Sequence, residues 1–143
     1  MNRAQRLLAC LVATLVLLVP AGARAADLVV VIINKDIAPT VDKEYVAGIY
    51  TGRIKGWPDG SPVFPLDQGE GSAARAEFYA TVVGRSQTNM QALWAQNIFS
   101  GKGLPPKIVS QGAEMKRLVA TNRNAIGYIL ASEVDDTVKV LRW

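Results

Sequence analysis

The sequence predicts a single α/β domain, with a mainly parallel central sheet flanked by helices. The run of apolar and β-branched residues at 28–33 is typical of a strand that is buried on both faces. Further short apolar runs alternate along the chain with segments whose apolar residues recur at helical spacing. Such alternation favours a sheet with helices packed against it.

The first half of the domain reads as strand, helix, turn and strand. The helix is predicted to begin at Thr40 or Asp42 and to end at Gly52. Its apolar positions are Val46, Ile49 and Tyr50. Pro58 and Gly60 occupy positions where a β-turn favours them, and residues 63–66 follow as a short strand. We expect the two strands and their helix to form a right-handed parallel crossover.

The second half of the domain predicts three helices and three short strands. The first two helices are separated by Ser86, a good N-cap residue, and residues 100–106 read as a loop rich in glycine and proline. The apolar residues at helical spacing are Phe78, Tyr79, Val82 and Val83, then Met90, Leu93, Trp94 and Ile98, and finally Met115, Leu118 and Val119. The strands are predicted at 108–109, 125–130 and 138–141.

The N-terminus is typical of a secretory signal peptide. Arg3 and Arg6 precede an apolar run of 13 residues, and an Ala-Arg-Ala cleavage pattern ends at Ala25. The run is shorter than the roughly 20 residues that a membrane-spanning helix needs. We therefore expect a signal peptide at 1–25 and one mature domain at 26–143, in the periplasm and without membrane insertion. Cys10 precedes most of the apolar run, which argues against lipidation, and the mature form contains no cysteine.

Composition narrows the functional classes. Cleavage removes three of the 16 basic residues and none of the 12 acidic ones, which leaves a net charge of +1 and little support for nucleic-acid binding. The sequence has no histidine, and its acidic residues show no spacing typical of a metal site. We therefore expect no enzyme activity, no metal and no cofactor. A Ser72 nucleophile would depend on a lysine or a carboxylate as its base.

The candidate site is the segment Glu70–Arg75. Its Gly71-Ser72 pair opens a predicted helix, where free backbone N–H groups, a hydroxyl and the positive end of the helix dipole can meet an anion. The residues that we assign to oxyanion binding are Glu70, Gly71, Ser72, Ala73, Ala74 and Arg75.

Several motifs in fixed order resemble the phosphate-binding components of bacterial ABC importers, in the periplasmic binding protein type 2 superfamily. These are the segment 49–57 (IYTGRIKGW), Glu70-Gly71-Ser72, Gly101-Lys102-Gly103 and the segment 124–128 (NAIGY). The resemblance covers most of residues 28–130 and implies one lobe of that fold. It further implies an extracytoplasmic solute-binding protein with phosphate or a similar oxyanion as ligand, and an ABC permease as a partner.

The departures from the family pattern concern the binding loop and the length. Ala73 and Ala74 occupy the positions of the family's Gly and Thr, Glu70 that of its Asp, and Gln68 that of its Arg. Arg75 lies one position beyond the motif and could replace the lost guanidinium. The family has another lobe, and this sequence contains none, so we expect weak binding unless a homodimer or a partner protein supplies a second wall. The alternative is a ligand-free interaction or sensing protein of the cell envelope.

Each candidate residue also has a purely structural interpretation. Ser72 could serve as a helix cap without contacting an anion. Arg75 could face solvent or the neighbourhood of Glu77, and Lys102 could be a solvated charge on a loop. Glu70 is ambiguous, because its ionised carboxylate repels an anion but can accept a hydrogen bond from a protonated oxyanion such as hydrogen phosphate. We expect Trp57, Trp94 and Tyr128 to be packing residues.

Overall fold

The computed structural model describes residues 27–143. The predicted signal peptide and Cys10 lie outside these residues. In the described part, five strands form one sheet with the order β3-β2-β4-β1-β5. The strands are β1 Val29–Asn34, β2 Phe64–Gln68, β3 Lys107–Val109, β4 Ala125–Leu130 and β5 Val138–Val140. The α-helices are α1 Lys43–Tyr50, α2 Ala73–Phe78, α3 Gln87–Phe99 and α4 Gly112–Thr121.

The sheet is mixed, with both parallel and antiparallel strand pairs. Strand β2 pairs in parallel with both β3 and β4, whereas β1 pairs antiparallel with β4 and with β5. Among the strands of residues 27–143, β1 alone therefore runs against the others. The predicted parallel crossover from β1 through α1 to β2 is wrong, because β4 lies between these two strands and β1 is reversed.

The helix ends follow local capping chemistry. Asp42 caps α1 by accepting a hydrogen bond from the N–H of Tyr45 (2.8 Å), as one of the two predicted starts required. Gly52 follows the helix with φ +77°, a conformation that favours glycine. Ser86 caps α3 through the N–H of Asn89 (3.1 Å), which confirms its predicted role.

The core lies between the sheet and its helices, and aromatic rings dominate its centre. Phe78 stacks on Tyr128 with a centroid separation of 4.1 Å, and Tyr50 meets Phe78 edge to face at 4.6 Å. After α2 the chain continues as a π-helical turn, Tyr79–Val83, so the predicted second helix changes its winding halfway. No helix of residues 27–143 combines the length and the apolar character needed to cross a membrane.

Helix α3 is the least buried of the helices. Met90 is its one fully buried residue, whereas Leu93 and Trp94 are half-buried and Ile98 is 52% exposed. The predicted apolar face is therefore present, but only its first turns are covered by the described chain.

Candidate functional site

The candidate segment joins the carboxyl end of β2 to helix α2. Gly71 adopts φ +87°, and the N–H of Ser72 donates to the carbonyl of Gly69 (3.2 Å), which closes a turn. Ser72 is the N-cap of α2, and its Oγ accepts a hydrogen bond from the N–H of Arg75 (3.2 Å). The predicted capping by Ser72 is thus confirmed, while its contact with an anion stays a prediction.

Two backbone donors remain open at the start of α2. Among the hydrogen bonds of residues 27–143, none uses the N–H of Ala73 or of Ala74 as donor. These groups belong to the first helical turn, whose N–H groups have no partner within the helix. These free N–H groups carry the partial positive charge of the helix N-terminus, which favours an anion at the loop.

The Ser72 hydroxyl proton is engaged inside the protein. Ser72 Oγ donates to Oε1 of Gln68 (2.6 Å), and Gln68 Nε2 in turn donates to the carbonyl of Tyr128 (3.1 Å). Gln68 is buried, so this chain of hydrogen bonds ties the loop to β4. The Ser72 hydroxyl could donate a hydrogen bond to an anion only if its bond to Gln68 were broken.

Arg75 lies in the interior and is paired with an acid. Its side chain is 9% exposed, Nε donates to Oδ2 of Asp67 (3.3 Å), and Nη1 donates to Oε1 of Gln87 (2.5 Å). The guanidinium also lies over the ring of Tyr79, 4.9 Å from its centroid. The expectation that Arg75 faces solvent or Glu77 is wrong, because Asp67 stabilises its charge in the core.

Asp67 is the centre of this buried network. Its carboxylate accepts hydrogen bonds from the hydroxyls of Tyr79 (2.7 Å) and Tyr128 (2.5 Å) and from the N–H of Gln68 (2.9 Å). Desolvation, followed by the negative charge of Asp67, raises the pKa of both tyrosines well above the ordinary value. Both hydroxyls therefore remain protonated donors at neutral pH.

Sequence reasoning did not identify Asp67 as a residue of this site. It is the one acid in β2 and follows Leu66 directly, and a carboxylate that is buried at such a position needs a buried cation or several donors. The sequence therefore indicates that Asp67 has hydrogen-bonding or charged partners, but it does not identify them. The partners lie eight residues away at Arg75 and 61 residues away at Tyr128.

Glu70 and Arg75 border a small cavity of about 170 Å³ between the loop and α3. Glu70 is exposed and accepts a hydrogen bond from the side-chain amide of Gln91 on α3. Half-buried Trp94 and the ring of Pro105 complete the wall. The cavity is large enough for a small oxyanion, but Asp67 and Glu70 place two carboxylates at its edge.

The remaining singled-out residues occupy three different settings. Trp57 is 5% exposed and Tyr128 is fully buried, so both are packing residues as expected, whereas Trp94 is half-buried. Lys102 is exposed on the loop after α3, and its carbonyl accepts a hydrogen bond from Lys55 Nζ (2.8 Å). Lys102 does not line the cavity beside Glu70 and Arg75.

The fold matches one lobe of solved phosphate-transport binding proteins. An ABC-type phosphate transport receptor from Vibrio cholerae superposes with a TM-score of 0.63 at 22% identity, over 81% of this chain and 46% of its own. A candidate phosphate ABC transporter substrate-binding protein from Clostridium perfringens, solved with bound phosphate, gives 0.66 at 26% identity, over 81% and 44%. PstS from Borrelia burgdorferi gives 0.61 at 13% identity, over 80% and 46%.

These comparisons establish the architecture. The described chain spans less than half the length of each matched protein, and the matched part is one lobe with a mixed five-stranded sheet and flanking helices. No protein-family model matches the sequence, and no curated protein matches it. The resemblance inferred from the sequence motifs is thus confirmed for the fold of a single lobe.

Proposed function

We propose that this domain is a non-catalytic, extracytoplasmic lobe that binds phosphate or a similar oxyanion weakly at Glu70–Arg75. The observation that carries the proposal is the pair of open N–H donors of Ala73 and Ala74 behind the Ser72 cap. The fold supports it, because one of the matched proteins is a phosphate-binding protein with its ligand bound. Gly71 allows the close approach of an anion to the backbone, since it has no side chain and no neighbour above it.

Weak binding follows from the number of donors. Hydrogen bonds to a charged group contribute about 1.5–3 kcal/mol each, so two N–H donors supply roughly 3–6 kcal/mol. Millimolar affinity corresponds to about 4 kcal/mol and micromolar affinity to about 8. Because Asp67 neutralises Arg75, the guanidinium adds little to this total. A second wall, from another copy or a partner protein, would be needed for tight binding.

The transport context belongs to the same proposal. The predicted signal peptide at 1–25 would place the domain in the periplasm, where an ABC permease could be its partner. The domain resembles binding proteins without catalytic function. The absence of histidine from the sequence supports a non-catalytic role, since histidine is the commonest general acid or base at neutral pH.

The decisive experiment is a calorimetric phosphate titration of the wild type and of Ala73→Pro. Proline removes the N–H of residue 73 yet suits the first position of a helix. Ser72, with φ −67° and ψ 124°, already has the conformation that a following proline requires. The variant should therefore fold and lose most of the phosphate heat. Ala76→Ser, an exposed change that keeps every backbone donor, is the matched control.

Two results would refute the site. One is the absence of heat from the wild type at millimolar phosphate. The other is equal binding by the wild type and a folded Ala73→Pro variant. Sulfate in a parallel titration tests Glu70, whose carboxylate can accept a hydrogen bond from hydrogen phosphate but not from fully ionised sulfate.

The second candidate function is a ligand-free interaction or sensing protein of the cell envelope. The observation that favours it is the internal use of the polar groups: Arg75 is paired with Asp67, and the Ser72 hydroxyl is bonded to Gln68. A protein of this kind would be indifferent to phosphate. Phosphate would then stabilise the wild type and Ala73→Pro to the same extent, through its exclusion from the protein surface alone.

A further inference from the structure

One stretch of the chain is unusually free of negative charge. No Asp or Glu occurs between Glu77 and Glu114, whereas Arg85, Lys102 and Lys107 all lie there. Helix α3, inside this stretch, carries no charged side chain at all. The three basic residues are exposed. Along the chain, the stretch therefore carries positive charge only, although Glu70 from the neighbouring loop contacts its helix at Gln91.

The same stretch carries most of the exposed large apolar side chains of residues 27–143. The exposed fractions are 52% for Ile98, 96% for Phe99, 81% for Leu104 and 62% for Ile108. Elsewhere in the described chain, Leu28, Phe64 and Trp143 share this property. Single exposed apolar residues are normal, but a cluster beside positive charge indicates an interaction surface.

The protruding residues lie on a supported loop. We name residues 98–104, from the end of α3 to Leu104, the basic apolar loop. The N–H of Lys102 donates to the carbonyl of Asn97 (2.8 Å), and Lys55 Nζ donates to the carbonyl of Lys102 (2.8 Å). The groove beside the loop, about 260 Å³, is lined by Leu104, Lys55 and Lys102 among others and by no carboxylate. Lys102 and Leu104 thus border one groove, and exposed Phe99 lies in the same short loop.

We propose that the basic apolar loop docks the domain on an anionic phospholipid bilayer. Phe99 and Leu104 would enter the boundary between headgroups and acyl chains, as apolar side chains of peripheral proteins do. Lys55, Lys102 and Lys107 would remain among the anionic headgroups, which attract basic residues over about one Debye length. The nearest acid along the chain, Glu114, is engaged by the N–H and hydroxyl of Ser110 (2.9 and 2.7 Å).

A bilayer fits these observations better than an acidic protein does. Phe99 and Leu104 are largely exposed and could enter a fluid bilayer, whereas a folded protein partner would need a preformed recess to receive these two side chains. The polar side chains of α3 are uncharged amides and a threonine, so no fixed pattern of charges selects a particular partner. This inference does not depend on phosphate binding at Glu70–Arg75.

The test is vesicle flotation with the protein as secreted by an expression host, its N-terminus established by mass spectrometry. The probes are vesicles of phosphatidylglycerol mixed with phosphatidylcholine, and vesicles of phosphatidylcholine alone. We expect binding to the anionic vesicles, weakened by salt. Lys102→Glu and the double change Phe99→Ser, Leu104→Ser should each weaken it about tenfold or more. Circular dichroism checks that these surface variants fold.

Matched controls outside the loop are Leu28→Ser, which also removes an exposed apolar side chain, and Lys35→Glu, which reverses an exposed charge. Both should bind the anionic vesicles as the wild type does. Equal binding to both kinds of vesicle, no binding, or equal losses in the controls would overturn the proposal. Light scattering tests whether the loop instead joins two copies of the chain. A dimer that the loop variants abolish, with no binding to vesicles, would overturn the proposal of bilayer binding.

Discussion

At the scale of single residues, the site is organised around a carboxylate rather than around a cation. Asp67 accepts hydrogen bonds from two tyrosine hydroxyls and a backbone N–H, and it neutralises Arg75. A buried charge costs free energy unless it is paired and hydrogen-bonded, and this group is both. For the proposed function this means that Asp67 already neutralises the guanidinium of Arg75, so that Arg75 would contribute little to the binding of an anion.

Asp67→Ala should lower the free energy of unfolding by about 3–5 kcal/mol, because it leaves the buried guanidinium of Arg75 without its acid. The measurement is urea denaturation at neutral pH. The matched control is Asp135→Ala, which breaks the exposed pair with Lys116 (2.7 Å) and should lower stability far less, because solvent screens a surface ion pair. Equal losses in the two variants would show that the Asp67 pair does not stabilise the fold.

Stability should decrease at alkaline pH because of Tyr79 and Tyr128. Burial and the charge of Asp67 raise the pKa of these hydroxyls in the folded state above the unfolded value of about 10. Their contribution is therefore complete below about pH 10 and is lost as the pH rises from there towards the folded pKa. Urea denaturation across this range should show a falling free energy of unfolding.

Tyr128→Phe should make this alkaline decline shallower, by up to about 1.4 kcal/mol per pH unit, because one titrating hydroxyl is removed. Val82→Ala provides the control, since it creates a cavity in the core without removing a titratable group. It should lower stability equally at every pH. An unchanged slope in Tyr128→Phe would contradict the assignment.

At the scale of elements, the loop from β2 to α2 depends on two glycines that play different roles. Gly71 has φ +87°, whereas Gly69 has no positive φ, and an added Cβ would meet no atom at either position. An added side chain would therefore be strained by the backbone conformation at Gly71 but not at Gly69, and it would meet no steric clash at either position. The conformation of Gly71 brings Ser72 into the capping position that leaves the first N–H groups of the helix open.

Gly71→Ala should cost about 1–2 kcal/mol of stability, since an L residue is strained in this left-handed conformation. Gly69→Ala should change stability by only about 0.5 kcal/mol in either direction. Denaturant unfolding of the two variants measures the difference directly. If both variants lose the same free energy, the turn does not have the conformation described here.

At the scale of the whole molecule, the proposed binding loop lies on one edge of the domain, and residues 27–143 supply no second wall opposite it. The loop at the carboxyl end of β2 lies at the edge of the sheet where α/β folds place their ligands. The matched proteins are more than twice as long as the described part of this chain. We therefore expect weak binding, because a ligand at this loop would contact the described domain from one side only.

If phosphate binds at this loop, it should stabilise the domain increasingly as its concentration rises above Kd. At a phosphate concentration about 100 times Kd, linkage predicts a gain of about 2.7 kcal/mol in the free energy of unfolding. Phosphate also stabilises proteins without binding, because it is excluded from their surface. The test is therefore the difference in thermal stabilisation between the wild type and Ala73→Pro, and identical gains would exclude binding at this loop.

Much of the fold could be predicted because its signals are local. Helix α1 begins at Asp42 because a carboxylate three residues before Tyr45 can reach the Tyr45 N–H, and β4 coincides with the apolar run 125–130. The Ser72 cap depends on the same kind of short-range geometry. The motifs in their order also indicated the single-lobe architecture that the solved structures confirm.

Only the tertiary structure determined which distant groups meet. Reversal of β1 and insertion of β4 between β1 and β2 are properties of strand pairing, which apolar periodicity does not encode. The burial of Arg75 depends on Asp67, and Asp67 depends on Tyr128, which β4 brings from 61 residues away. Local sequence patterns specify which face of an element is apolar and where it ends, whereas the pairing of buried charges is decided by contacts between elements. For that reason the sequence alone located the loop, and the folded chain showed that its arginine faces inward.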